Sequence, residues 1–170
     1  MSTLTLDLIK TELKKSVYQH YKSISNKYPE EHFYAYCLYT DDDVTSIGPV
    51  ANKTSEINNN DIEHLNYYKY CPEEWSDWDD YGLFDHVNTL LKNYYKEMED
   101  NFEEYRESIL KEALQILKEI DNEGLFGVKS DDRFLVLWIS DSNDKYVFLS
   151  AKELNTQKVC DEFNSEFLVD

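Results

Sequence analysis

With 170 residues, 41% of them hydrophobic and 15% aromatic, the chain is long enough for one packed domain and too apolar for a disordered acidic tail. Its 35 acidic against 17 basic side chains leave a formal charge of −18. That charge repels phosphate backbones and anionic lipid heads, so direct nucleic-acid or membrane binding is not expected, whereas a basic partner would be attracted.

Residues 5 to 27 carry Leu6, Ile9, Leu13, Val17, Tyr21 and Ile24 at three- and four-residue steps, which predicts an amphipathic helix closed by Pro29. "EHFYAYCLYT" follows, with apolar or aromatic residues on both alternating faces, so it reads as a strand covered on both sides. "TDDD" supplies a turn, and "VTSIGPVANKT" returns as a second strand with Gly48-Pro49 marking a bulge or an early end. From 54 to 80, including the three asparagines 58–60, loops and one or two brief helices are expected.

Between Leu83 and Ile120 apolar residues recur at steps of four and three without an intervening glycine or proline. This stripe predicts one long helix, or two meeting near residue 100 with Asp100 or Asn101 as cap, its apolar face lining a core rather than a coiled-coil seam. Gly124 stops it as a left-handed cap residue. "DRFLVLWIS" and "KYVFLS" around "DSND" read as a second hairpin, and the last stretch as a terminal helix with Val159, Phe163 and Phe167 on one side. The fold class predicted is α+β, a single domain over residues 1–170. Its largely antiparallel sheet has at least four strands in two hairpins, with an N-terminal helix, a central helix or helix pair, and a C-terminal helix. The first residues lack a signal-peptide layout, and the longest strongly apolar run, "FLVLWI", is far too short to span a bilayer, so a soluble cytoplasmic protein is expected.

Motifs that name a reaction are missing from the sequence. It has no HExxH, no GxSxG, no phosphate-cradling glycine loop and no EF-hand spacing, so no cofactor is expected. Three widely spaced cysteines without a CxxC read as reduced thiols, with Cys37 buried in its strand. His64 and His86 flank an acidic segment, and with Asp61, Glu63 or Asp85 they would make a metal or acid–base cluster if the fold joined them. This is one alternative reading; self-association through 83–120 is another.

The better signal is "YCPEEWSDWDDYGLFD" at 70–85, rich in both rings and carboxylates. Aromatic anchors ringed by acids suit a patch that grips Lys or Arg, because both favour a desolvated cation. The candidate binding residues are Trp75, Trp78, Glu74, Asp77, Asp79 and Asp80. Within the segment Tyr70, Trp75 and Phe84 are expected to anchor, leaving Trp78 and the three aspartates to bind. The plainer alternative is a solvated acidic loop pinned by one buried tryptophan.

"HFYAYCLY" after an amphipathic first helix, then "ANKTSE", "YKYCPEEW", and "LKEIDNEGLFG" before a strand, resemble in that order the DUF4303 family of uncharacterised bacterial proteins. The resemblance spans nearly the whole chain and brings no activity and no catalytic residues. What it implies is a setting: small acidic families of this type often stand beside polymorphic toxin genes, where an immunity protein covers a toxin's active face. A basic toxin domain is the partner that setting would supply.

Overall fold

A computed structural model describes residues 2–57 and 61–168. The asparagines 58–60, read above as loop, lie outside the described residues. Helix α1 (Ser2–Lys27) buries Ile9, Leu13, Val17 and Ile24 along one face and ends just before Pro29. Strands β1 (Phe33–Thr40) and β2 (Ile47–Lys53) form the expected first hairpin. Gly48 and Pro49 sit inside its ladder, opposite Tyr39 and Leu38, so they mark neither a bulge nor an end. Proline is accommodated because β2's other neighbour, the two-residue β3 (Asp77–Trp78), pairs only with Val50 and Ala51.

The irregularity lies in β1 instead, where the register shifts between Phe33 and Ala35. This bulge puts strict alternation out of step. Phe33 and Tyr36 both meet Tyr21 of α1, whereas Tyr34 and Tyr39 both turn to the opposite side, toward Trp75 and Trp78.

After helix α2 (Leu65–Tyr70) and β3 the chain forms α3 (Asp85–Glu97) and α4 (Phe102–Asn122), joined by a 3₁₀ turn over Glu99–Asn101. The central stripe is therefore two helices. Val87, Leu91, Tyr94, Tyr105, Ile109, Ala113, Ile116 and Ile120 are all buried, so the stripe is occupied by the chain's own core. At its end Gly124 takes a φ of +84°, and the N–H groups of Gly124 and Leu125 donate back to Asp121 and Ile120. A residue with a Cβ resists that left-handed turn, which is why glycine ends this helix.

The second hairpin is corrected. Phe134–Ile139 is strand β4, but "KYVFLS" opens helix α5 (Lys145–Leu154), and Asp144, assigned above to a turn, is its cap, accepting from the Tyr146 N–H at 2.8 Å. β4 runs parallel to β1, with Tyr39 opposite Trp138 and Cys37 opposite Val136. The sheet is thus mixed, in the order β3-β2-β1-β4, rather than largely antiparallel. Helix α6 (Gln157–Phe167), capped by Thr156, closes the fold and buries Val159 and Phe163.

Side chains of α5 and the turn after it do what a hairpin partner would have done. Ser150 Oγ accepts the Leu137 N–H at 2.9 Å, and the Asn155 amide bonds both the N–H and the C=O of Leu135. At Leu135 and Leu137 the outer edge of β4 is thus satisfied by side chains rather than by a further strand. Arg133, also buried, ties the carbonyls of Gly127 and Leu154 to the Asp121 carboxylate. Packed on the sheet, α1 with α3 and α4 covers one face, and α2 with α6 lies toward the other. Among the described residues no helix is long and apolar enough to cross a membrane.

Candidate functional site

The segment from 70 to 85 divides into parts that anchor and parts that face outward. Tyr70 places its ring 4.8 Å from Phe134, and its hydroxyl donates to Glu162. Trp75 is 3% exposed, sits edge-on to Tyr34 and Phe134, and donates its indole N–H to the Tyr68 carbonyl. Phe84, also buried, opens α3. Tyr70 and Trp75 hold the segment to the sheet and Phe84 packs against His20 of α1, with Trp75 inside the protein rather than on its surface.

Of the three aspartates expected to stand free, only Asp80 is fully on the surface, where it meets Lys27 at 3.4 Å. Asp77 is 6% exposed and locked to the Lys53 ammonium at 2.8 Å, under which lies the Tyr28 ring. The correction has a physical cause: Asp77 lies in β3, and strand alternation turns it inward as Trp78 turns outward. Burial acts to lower the Lys53 pKa, but the hydrogen bond and charge of Asp77 outweigh it and the net shift is upward. Asp79 accepts the N–H groups of Tyr81 and Phe84, so its carboxylate shapes the turn into α3. Gly82 completes that turn at a φ of +66°.

Trp78 is 38% exposed and lies 5.3 Å from the Tyr39 ring. From there a row of rings continues across the sheet. Tyr39 is the register partner of Trp138, which meets Phe167 nearly edge-on at 5.4 Å, and Phe167 stacks on Tyr67 at 5.8 Å. Glu73 is placed over the middle of the row: its Oε1 accepts from both Tyr39 Oη and Trp138 Nε1, each at 3.3 Å. Burial, then the charge of Glu73, pushes the Tyr39 hydroxyl up to about 12, so it stays a donor.

Beside Glu73 opens a groove of about 230 Å³, walled by Trp138, Phe148 and Phe167 and edged by Asp141 and Asn143. Tyr39, Trp138, Asp141 and Phe167 were not among the sequence candidates. They come from β1, from β4 and the turn after it, and from α6, and the mixed sheet assembles them next to Glu73. The alternation of "FLVLWI", with Phe134, Val136 and Trp138 on one side, was the one local hint.

The histidine cluster does not form. His64 meets Asp61 at 3.0 Å near the start of α2, while His86 faces Glu12 of α1 at 3.4 Å. Among the described residues no group of three or more His, Cys, Asp or Glu stands where it would hold a metal ion. His20 is the buried histidine, between the Tyr36 hydroxyl at 3.1 Å and the Trp78 carbonyl at 3.3 Å. Cys37, Cys71 and Cys160 are free and buried.

No curated protein and no solved structure matches the chain. A family model described as a domain of unknown function (DUF4303) matches residues 13–156, from within α1 to the cap of α6. Phe167, at one end of the row of rings, lies beyond the matched stretch. With most of its length covered by that model, the chain belongs to the DUF4303 family.

Proposed function

We propose that this protein is a protein-binding module that holds a basic partner against the face bearing Trp78, Glu73, Glu74, Asp80 and Asp141, and that neutralising a basic toxin domain is the role such binding serves. One observation carries the reading. Most cations near the other surfaces are spent on neighbouring carboxylates, as in Lys10 with Glu112, Lys14 with Glu119 and Glu123, and Lys145 with Glu107. Among the described residues no ion pair includes Glu73, Glu74 or Asp141, which is equally true of Glu99, Glu103 and Glu104; what sets this face apart is that Glu73 bonds Tyr39, whose ring meets the exposed Trp78, on a chain of net charge −18. Uncompensated carboxylates next to exposed rings draw in and hold ammonium or guanidinium groups, and the field of the whole chain speeds the encounter.

The test is capture of a short arginine- and lysine-rich peptide by the purified protein at about 0.05 M and about 0.5 M salt, where screening lengths differ severalfold. Binding at low salt that weakens at high salt, and weakens further in Trp78→Ala and Glu74→Lys, supports the face. Binding indifferent to salt and to both changes would sink it.

A further inference from the structure

We infer that the groove beside Glu73 receives the guanidinium of a single arginine from the partner, an inference that rests on the binding face proposed above and names what its centre recognises. The size argues for one side chain. At about 230 Å³ the groove falls below the roughly 300–1,000 Å³ of pockets that enclose small-molecule ligands.

Its chemistry argues for a cation. Glu73 spends Oε1 on Tyr39 and Trp138, while Oε2 has no hydrogen-bond partner among the described residues; nor has Asp141 on the edge of the same groove. No group of three or more His, Cys, Asp or Glu among the described residues stands where it would hold a metal ion.

The walls argue for arginine over lysine. Trp138 and Phe167 meet at 86° and form an aromatic corner. A planar guanidinium can lie flat on one ring and still direct N–H groups in its own plane toward separate carboxylates. A compact ammonium is more strongly hydrated, loses more on entering an aromatic corner, and has no plane to stack. Charge complementarity therefore sets the sign of the occupant, and shape sets its kind.

The Trp138 indole N–H donates to Glu73, so its resonance reports on this carboxylate. The experiment titrates the ¹⁵N-labelled full chain with the acetylated methylamide of arginine, and separately with that of lysine, after assigning the indole signals with Trp138→Phe. The expected result is a saturable shift of the Trp138 indole with the arginine amide and a several-fold weaker response to the lysine amide. Glu73→Gln keeps an acceptor for Tyr39 and Trp138 but loses the charge; it should bind arginine about tenfold more weakly. A stationary Trp138 signal, equal response to the two amides, or unchanged binding by Glu73→Gln overturns the inference.

Peptide capture by the same proteins separates this inference from the reading beneath it. Salt-sensitive capture together with a stationary Trp138 signal removes the arginine groove and leaves the face. Absence of capture by the wild-type chain at low salt removes the face, and the partner's arginine with it.

Discussion

Asn155 satisfies both backbone groups of Leu135: its Oδ1 accepts the N–H at 2.8 Å, and its Nδ2 donates to the carbonyl at 2.7 Å. A single side chain thus stands in for one residue of a neighbouring strand along a buried sheet edge. Asn155→Ala would strand a buried donor and a buried acceptor together, each costing about 1–3 kcal/mol. Urea denaturation should show a loss of about 2–4 kcal/mol, with Asn155→Asp no milder because its buried carboxylate would face the carbonyls of Leu135 and Ala151.

The two tryptophans of the acidic segment should separate in stability measurements. Trp75→Ala empties a core position and is expected to cost about 3–5 kcal/mol. Trp78→Ala gives up its contact with Tyr39 and the indole N–H bond to the Trp75 carbonyl and should cost about 1–2 kcal/mol. Parallel denaturant titrations of the two variants check the ranking, and equal losses would contradict the division between anchor and surface.

Lys53 and Asp77 form the most enclosed ion pair of this region. Lys53→Met leaves Asp77 buried without its counter-charge and should destabilise by about 3–5 kcal/mol, whereas Lys53→Met with Asp77→Leu should recover part of the loss. The Lys53 pKa is raised above its ordinary 10.5, so the pair's contribution is complete below that value. It should fade only as pH rises beyond about 10.5 through the folded-state value, a fade absent from the double variant.

His20 behaves in the opposite sense. Burial lowers its pKa below the ordinary 6.5, against the Trp78 carbonyl and the charges of Asp79, Asp77 and Asp80, which act to raise it. The unfolded chain therefore takes up a proton that the folded chain resists, and stability falls as pH drops below about 6.5 toward the folded value. The slope for one proton is at most about 1.4 kcal/mol per pH unit. Comparing wild type with His20→Gln from neutral pH to mildly acid pH isolates it: the variant should lack this part of the decline.

Much of the fold was legible where burial is periodic along the chain. α1, β1, the α3–α4 stripe and the Gly124 stop all announce themselves through local spacing. "KYVFLS" misled because Tyr, Val and Phe favour strands, while what makes it a helix lies elsewhere: the Asp144 cap and the bonds that Ser150 and Asn155 send to β4. Parallel pairing of β1 with β4 joins segments almost a hundred residues apart, and no turn signal records it. The candidate site shared that fate. Its anchors Tyr70, Trp75 and Phe84 were readable from one short stretch, but the inward turn of Asp77 and the placement of Trp138, Asp141 and Phe167 depend on pairings between distant strands and helices.

The bulge in β1 also governs which changes in chain length the strand can absorb. Tyr34 and Tyr39 share a face although five positions separate them, an odd interval that simple alternation forbids. Deleting Ala35 would make the interval even, so the strand could straighten with both tyrosines still facing Trp75 and Trp78. Deleting Cys37, inside the regular ladder, would make the same interval even while the bulge remained, turning Tyr39 away from Glu73 and Trp138. Natural shortening of this strand should therefore fall at the bulge, where a lost residue leaves the row of rings intact.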